Sequence, residues 1–94
     1  MSNSILKIKQ IEKLISEAAR YEQLAEECSE LAQASLKMAR ILRGENKTPV
    51  TIDEAKKNIR EEYTDVKLCS DALSIYPSYD IYNSKLDRWI ERNS

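Results

Sequence analysis

The sequence predicts an all-α protein of about four helices, and three observations lead to this prediction. The 94-residue chain contains one glycine and two prolines, so few residues interrupt regular secondary structure. Its apolar residues recur at intervals of three and four, the spacing that places side chains on one face of a helix. No stretch of useful length shows the alternation of apolar and polar residues that is typical of a half-buried strand.

The first two helices are expected over residues 4–19 and 21–42. Each carries an apolar stripe along one face. Because no glycine or proline separates them, we expect a short break near residues 19–22, with one continuous helix as the alternative. The stripes are Ile8, Ile11, Leu14, Ile15 and Ala18 in helix one, then Leu24, Cys28, Leu31, Met38 and Leu42 in helix two.

The turn into helix three has clear signals at both ends. Gly44 ends helix two, in the position where a left-handed residue is usually needed, and residues 44–50 form a loop. Thr51 then starts helix three, because Thr51-Ile-Asp-Glu54 is a capping box whose side chains satisfy free backbone N–H groups.

Helices three and four are separated by Pro77, which cannot continue a helix. Helix three is expected to extend to Ile75, and helix four to run from residues 78–80 to Arg92. The expected inner faces are Ile59, Tyr63, Val66, Cys69 and Leu73 in helix three, then Tyr82, Leu86, Trp89 and Ile90 in helix four. Base stacking is the alternative role for Tyr63, Tyr82 and Trp89.

Composition narrows the function. The length favours one small domain over residues 1–94, and the net charge of −1 does not favour binding of a nucleic-acid polymer. No apolar run approaches the roughly 18 residues that span a bilayer, and the N-terminus lacks the apolar segment of a signal peptide. We therefore expect a soluble, cytoplasmic protein without a membrane partner.

The reactive residue types are few. The chain contains no histidine, which excludes Ser-His-Asp triads, Cys-His pairs and histidine zinc sites. Cys28 and Cys69 are not in a CxxC arrangement, and we expect them to be small buried hydrophobic residues. Any chemistry must therefore use carboxylates, amines, guanidinium groups or a metal.

Two acidic clusters have the same spacing, one in helix two and one in helix three. Each reads acid, acid, two other residues, acid, so neighbouring carboxylates fall on one helix surface. Like charges at that spacing repel, so helix stability does not account for them, whereas a hard divalent cation bound through oxygen does. The clusters are Glu26, Glu27 and Glu30, then Glu61, Glu62 and Asp65.

The direction of each acid follows from a helical turn of about 100° per residue. Glu27 and Glu62 lie about 50° and about 40° from the centres of their apolar stripes, so they intrude on those faces. Glu30 and Asp65 lie at about 110° and about 100°, at the edge of the same faces. The first acid of each cluster faces solvent. A buried carboxylate without a partner takes up a proton or binds a cation.

If helices two and three pack antiparallel, the four inward or edge carboxylates converge and form a Mg²⁺ site with room for water and a substrate phosphate. Two alternatives stay open: the acids can be solvated surface groups, or they can pair with basic side chains. Arg60 is a further surface partner for Glu61 or its neighbours. The other cations available are Lys37, Arg40, Lys67, Lys85 and Arg88.

These residues resemble a known family. The segment Leu24-Ala-Glu-Glu-Cys-Ser-Glu-Leu-Ala-Gln-Ala34 resembles the first motif of the MazG-like, all-α nucleoside triphosphate pyrophosphohydrolases, in which Glu-Glu-x-x-Glu is followed later by Glu-x-x-Asp. Glu62-Tyr-Thr-Asp65-Val is similar to the second motif. The segment from Tyr82 to Arg92, with Lys85-x-x-Arg88, looks like the closing helix of the family. The resemblance covers residues 21–92.

The chain departs from the family pattern in two places. The gap between Glu30 and Glu62 is longer than usual, and Thr64 replaces the common glycine of the second motif. Neither departure touches a proposed ligand, so both bear on the choice of substrate.

The resemblance implies a MazG-like helical bundle of about four helices, completed by oligomerisation as a homodimer or homotetramer. It implies Mg²⁺, with Mn²⁺ as the alternative ion, and hydrolysis of a (d)NTP to the (d)NMP and pyrophosphate. The metal-binding and catalytic residues that it implies, which the helical geometry selects as well, are Glu27, Glu30, Glu62 and Asp65.

Other residues have expected roles in the reaction. A carboxylate that the metal does not fully engage, such as Glu27, would orient or deprotonate the attacking water. Lys85 and Arg88, spaced i,i+3, would reach the phosphates, with ordinary surface charges as the alternative. Lys37 and Asn58 are further candidates for substrate contact. Two other functions stay open: a non-catalytic helical interaction module, and a degenerate homologue that binds nucleotides without turnover.

Overall fold

The computed structural model describes residues 2–45 and 49–94, which form four helices and no strand. The predicted all-α class is confirmed. Residues 46–48, in the middle of the predicted loop, lie outside the described residues. Within the described ranges, no helix combines the length and the apolar composition that a bilayer crossing requires. The helices are α1 (Ser2–Leu14), α2 (Glu17–Leu42), α3 (Ile52–Ala72) and α4 (Tyr79–Arg92).

The break between α1 and α2 falls at Ile15 and Ser16, before the predicted position. Ser16 has an extended backbone, and its hydroxyl accepts a hydrogen bond from the Ala19 N–H at 3.2 Å. This bond satisfies one of the free N–H groups in the first turn of α2. Helix two therefore begins at Glu17 and not at Tyr21, and the alternative of one continuous helix is wrong.

The end of α2 agrees with the prediction. Gly44 has a φ of 73°, in the left-handed region. Its N–H donates to the Ile41 carbonyl at 3.1 Å, and the next N–H, that of Glu45, donates to the Arg40 carbonyl at 2.9 Å. These two bonds form the Schellman pattern, which satisfies carbonyls that the helix leaves free at its end.

The end of α3 repeats this pattern without a glycine. Ser74 has a φ of 55°, its N–H donates to the Asp71 carbonyl, and the Ile75 N–H donates to the Ser70 carbonyl. The helix therefore ends at Ala72, three residues before the predicted end at Ile75. The sequence did not predict this end, because a serine occupies the left-handed position in which glycine is usually found.

Both later helix starts agree with the prediction. The Thr51 hydroxyl accepts a hydrogen bond from the Glu54 N–H at 3.1 Å, as expected for the N-cap of α3. The Ser78 hydroxyl accepts one from the Ile81 N–H at 3.3 Å and caps α4. These bonds fix the first turn of each helix.

The main packing unit is the antiparallel pair of α2 and α3. Arg20 lies in the first turn of α2, and its Nη1 donates a hydrogen bond to the carbonyl of Ala72 at the end of α3, at a distance of 2.5 Å. Its Nε also donates a hydrogen bond to the Ile15 carbonyl at the end of α1, at a distance of 3.1 Å. Along the contact between the two helices, one set of buried and half-buried side chains recurs every three or four residues: Leu24, Glu27, Leu31, Ala34, Met38 and Ile41 in α2, then Ala55, Ile59, Glu62, Val66, Cys69 and Ala72 in α3.

The core of the described chain is small. Only Ala34, Met38, Ala55 and Ala72 are buried, and each keeps a small exposed fraction of 4–9%. Alanines allow the two helix backbones to approach closely, but each has little apolar surface to remove from water. The one large member, Met38, contributes about 1.5–3 kcal/mol by its burial.

Several residues expected on the inner faces are exposed. Cys28 is exposed, Leu42 is 66% exposed and Tyr63 is 60% exposed. None of them belongs to the seam, by which we mean the contact surface between α2 and α3. The seam is centred closer to Glu27 and Glu62 than the apolar residues alone indicated. Both glutamates are half-buried, which agrees with the prediction that they intrude on the apolar faces.

Helix α4 differs most from the prediction. The four residues of its expected inner face, Tyr82, Leu86, Trp89 and Ile90, are all exposed, and α4 has no buried residue. By contrast, α1 packs against α3 and half-buries Ile8 and Ile11. The described residues of the chain therefore leave the apolar face of α4 uncovered.

The left-handed end of α3 yields a stability prediction. Ser74→Gly should raise the free energy of unfolding by about 0.5–1 kcal/mol, because glycine adopts positive φ without a Cβ penalty. Urea denaturation measures the change. Gly44→Ala is the converse variant and should lower the free energy by about 1 kcal/mol. A Cβ at residue 44 would have nothing within 4 Å, so only the backbone conformation contributes. A loss of stability in Ser74→Gly would contradict the assigned helix end.

Candidate metal centre

Three carboxylates from α2 and α3 meet at the seam between these helices. Glu27 and Glu30 stand one turn apart on α2, and Glu62 reaches across from α3. One carboxylate oxygen of each residue lies within 4.8 Å of such an oxygen of the other two. The antiparallel packing brings them together, since Glu27 and Glu62 hold seam positions that apolar residues occupy in neighbouring turns.

Two oxygens of this cluster are shielded from solvent without a partner. Glu27 and Glu62 are half-buried, and the Oε2 atom of each has no hydrogen-bond partner among the described residues. The Oε1 atom of Glu27 accepts a hydrogen bond from Gln23 Nε2 at 2.9 Å. Because a buried carboxylate oxygen without a partner is costly, the cluster holds two oxygens that a cation would stabilise.

Repulsion within the cluster affects Glu30. The neighbouring Glu27 carboxylate raises the pKa of Glu30 above its ordinary value, and partial desolvation and Glu62 act in the same direction. The folded protein therefore holds the Glu30 proton more tightly than the unfolded chain does. This contribution to stability is present at low pH and is lost as the pH rises above the ordinary value of 4.5. Ionised Glu30 is therefore less favourable in the folded protein than in the unfolded chain, because the neighbouring carboxylates repel its charge.

No basic side chain of residues 2–45 and 49–94 forms an ion pair with these carboxylates. The only ion pair in these ranges joins Lys67 Nζ to Asp71 Oδ1 at 2.6 Å, and its hydrogen bond raises the pKa of Lys67. Pairing of the acidic clusters with lysine or arginine, an alternative left open by the sequence, is therefore not realised among the residues that the structure describes.

The donor set fits a hard divalent cation. Such ions bind oxygen ligands at about 2.0–2.6 Å, so two ligands on opposite sides of an ion lie about 4–5 Å apart. The separation of the three oxygens falls within that distance. Exposed acidic groups are common without an ion, but the two shielded Oε2 atoms set this cluster apart from a solvated surface. Three carboxylates also leave coordination positions for water or for a phosphate.

The structure brings together three of the four predicted ligands. Asp65 lies one turn beyond Glu62 on α3, is exposed, and stands outside the group of three. The leading acids, Glu26 and Glu61, are exposed, as the helical geometry predicted.

The predicted substrate-binding residues fall into two groups. Lys37 and Asn58 are half-buried on α2 and α3, and the antiparallel arrangement places both towards the same end of the seam. Lys85 and Arg88 lie on the uncovered helix α4, where neither is paired with an acid in the described chain. A single chain therefore does not assemble all the expected substrate contacts.

Sequence reasoning missed Gln23, although its position four residues before Glu27 places both on one helix surface. Gln23 orients Glu27, and it also lines a largely apolar cleft of about 150 Å³ between α1, α2 and α3. The cleft and the acidic cluster are thus adjacent. Burial, together with Glu27, raises the pKa of the Cys69 thiol at the cleft. The remaining cleft residues are Ile8, Ile11, Ile15, Arg20, Leu68 and Ala72.

Comparison with known proteins adds no further assignment: no family model, no curated protein and no solved structure matches this chain.

The cluster predicts stabilisation by divalent metal. Mg²⁺ at about a hundred times its Kd should raise the free energy of unfolding by about 2.7 kcal/mol, and EDTA should reverse the gain. Glu27→Gln should remove most of it, because a ligand with a shielded oxygen is lost. Glu26→Gln changes the same charge at an exposed neighbour and should retain it. Thermal unfolding with and without Mg²⁺ measures the effect, and an equal gain in both variants would contradict the site.

Proposed function

We propose that the chain is a Mg²⁺-dependent nucleoside triphosphate pyrophosphohydrolase, a hydrolase acting on an acid anhydride. It would cleave a (d)NTP between the α and β phosphates and release the (d)NMP and pyrophosphate. The observation that carries this proposal is the meeting of Glu27, Glu30 and Glu62, with two shielded oxygens and no basic partner in the described chain. The resemblance of the two acidic motifs to the MazG-like family supports the same function.

The proposed ligands are Glu27, Glu30 and Glu62, with Asp65 as the fourth because it stands one helical turn from Glu62. Bound Mg²⁺, or Mn²⁺ in its place, would supply neutralisation of the triphosphate charge and polarisation of the attacking water. The oxygen donors of these side chains are the kind that such ions prefer.

Within the cluster, we assign proton transfer to Glu30. This carboxylate is exposed at the edge of the cluster, so a water molecule can reach one of its oxygens while the other binds the metal. Glu30 would accept the proton of the water that attacks the α phosphorus, while the pyrophosphate leaves. Glu27, the residue suggested by the sequence, has one oxygen bound by Gln23 and the other shielded, which suits a ligand better than a base.

The groups on either side of the cluster suggest how a bound substrate would be oriented along the seam. The apolar cleft adjoins the cluster on the side of Gln23, towards the start of α2 and the end of α3. Lys37 and Asn58 lie on the opposite side. We propose that the nucleoside occupies the cleft and that the terminal phosphates extend towards Lys37 and Asn58, since ligand sites combine apolar walls with a few polar groups.

We propose that the protein acts as a homodimer or homotetramer. In the single chain, Lys85 and Arg88 lie on a helix without packing partners, so their proposed contact with phosphates depends on assembly. The small core of the described residues supports this part of the proposal, because a short chain with little buried apolar surface gains stability by association.

Turnover of nucleotides tests the function directly. Incubation with a panel of canonical and modified dNTPs and Mg²⁺ should release pyrophosphate from at least one of them. Glu62→Gln should lower kcat by more than about a hundredfold, because losing even a residue that only supports a metal ligand costs 10–100-fold. Glu61→Gln makes the same charge change at the exposed neighbour and should keep the activity.

The same variants separate a catalytic defect from misfolding. Without metal, Glu62→Gln should be more stable than the unmodified protein by on the order of 1 kcal/mol, because a like-charge repulsion in a half-buried seam is removed. Unaltered turnover in Glu62→Gln would contradict the assignment. No turnover of any nucleotide, together with no stabilisation by Mg²⁺, would favour the non-catalytic interaction module.

A further inference from the structure

The side chain of Gln23 joins the acidic cluster to the apolar cleft. Its Nε2 donates a hydrogen bond to Glu27 Oε1 at 2.9 Å, and the side chain also lines the cleft between α1, α2 and α3. The cleft wall is almost wholly apolar, so Gln23 presents its aliphatic stem to the cleft while its amide faces Glu27. Among the cleft residues that the structure describes, Gln23 alone hydrogen-bonds a carboxylate of the cluster.

This hydrogen bond determines how Glu27 presents its second oxygen. The last torsion of a glutamate side chain is soft, so a carboxylate without a fixed partner takes a broad range of orientations. In this structure the amide holds Oε1, and Oε2 is shielded from solvent with no partner among the described residues. A carboxylate held in this way needs little reorientation when a cation binds. Loss of such a partner of a metal ligand costs about 10–100-fold in metal affinity.

A neutral donor suits this role better than a charged one. Gln23 and Glu27 stand four residues apart on α2, and a lysine at the first position would reach the same carboxylate. The charge of that lysine would offset the charge of Glu27 and so compete with a bound cation. The glutamine amide orients the carboxylate and leaves its negative charge available to a metal.

We infer that Gln23 is a positioning residue that couples the binding of Mg²⁺ at the cluster to the binding of a nucleoside in the cleft. The inference rests on the proposed function, which supplies both ligands. A nucleoside in the cleft would pack against the stem of Gln23 and fix its rotamer, so the amide is already held at Glu27 when the metal binds. The coupling is reciprocal, and bound Mg²⁺ strengthens nucleoside binding by the same factor.

Calorimetric titration with Mg²⁺ tests this coupling in the presence and absence of the common deoxynucleosides. The nucleosides carry no phosphate, because a phosphate would bind the metal directly and obscure the effect. In the unmodified protein, at least one nucleoside should lower the Kd for Mg²⁺ by about fivefold or more. Gln23→Met keeps an unbranched apolar stem and removes the donor. It should raise the Kd for Mg²⁺ by about 10–100-fold, and the nucleosides should no longer change that Kd.

Gln33→Met is the matched control. Gln33 is exposed on the same helix, about 15 Å further along its axis, so the same substitution there should leave the Kd and the nucleoside effect unchanged. Thermal unfolding in EDTA separates positioning from a purely structural role. A positioning role predicts that Gln23→Met keeps its metal-free melting temperature and loses affinity for Mg²⁺ alone.

The possible failures are distinguishable. If the unmodified protein and Gln23→Met bind Mg²⁺ with the same Kd, the positioning role is wrong and the proposed metal site stands. A nucleoside effect that persists in Gln23→Met would equally overturn the inference. If no nucleoside changes the Kd of the unmodified protein, the coupling is wrong, and this result needs no variant, so it decides the question even if Gln23→Met misfolds. If the unmodified protein binds no Mg²⁺, the proposed function is itself overturned, and the inference with it.

Discussion

Two half-buried glutamates occupy the seam of the antiparallel helix pair, and the rest of the structure must accommodate their charge. Glu27 and Glu62 stand where the three-four repeat of α2 and α3 elsewhere places leucine, valine or alanine. Apolar residues at both positions would make the pair more stable on its own, since a buried charge costs more than any hydrophobic group of similar size. The two charges therefore lower the stability of the helix pair at this point, and a local loss of stability of this kind is typical of a functional site.

The rest of the bundle accommodates this cost with modest means. Alanines bring the two helices close, serine and threonine caps fix the helix starts, and two left-handed residues close the ends of α2 and α3. Each of these contributes about 1 kcal/mol, and none is a large apolar contact. A chain built in this way has little reserve stability, so the binding of a cation and the association of copies would each change its folding equilibrium strongly.

The helical class, the N-cap at Thr51, the start of α4 near Ser78 and the turn at Gly44 were predictable from sequence, because each depends on local chemistry. The break at Ser16 and the end at Ser74 were not, since serine is compatible with several conformations and only tertiary packing selects one.

The inward directions of Glu27 and Glu62 were also predictable, because helical geometry fixes them. The separation of Asp65 from the other acids depends on how the two helices rotate against each other. The uncovered state of α4 depends on which surfaces the single chain can reach. Neither the rotation of the two helices against each other nor the set of surfaces that α4 can reach follows from the spacing of residues in the sequence.

Arg20 links the ends of two helices through one side chain. Its guanidinium bonds carbonyls at the ends of two different helices, α1 and α3, where backbone acceptors lack partners and a positive charge is favoured. Fraying at one of these ends therefore weakens the other, because both share a single donor group. Arg20 also lines the cleft beside Gln23, so the side chain that ties the ends of α1 and α3 together also forms part of the cleft wall that an entering molecule would contact.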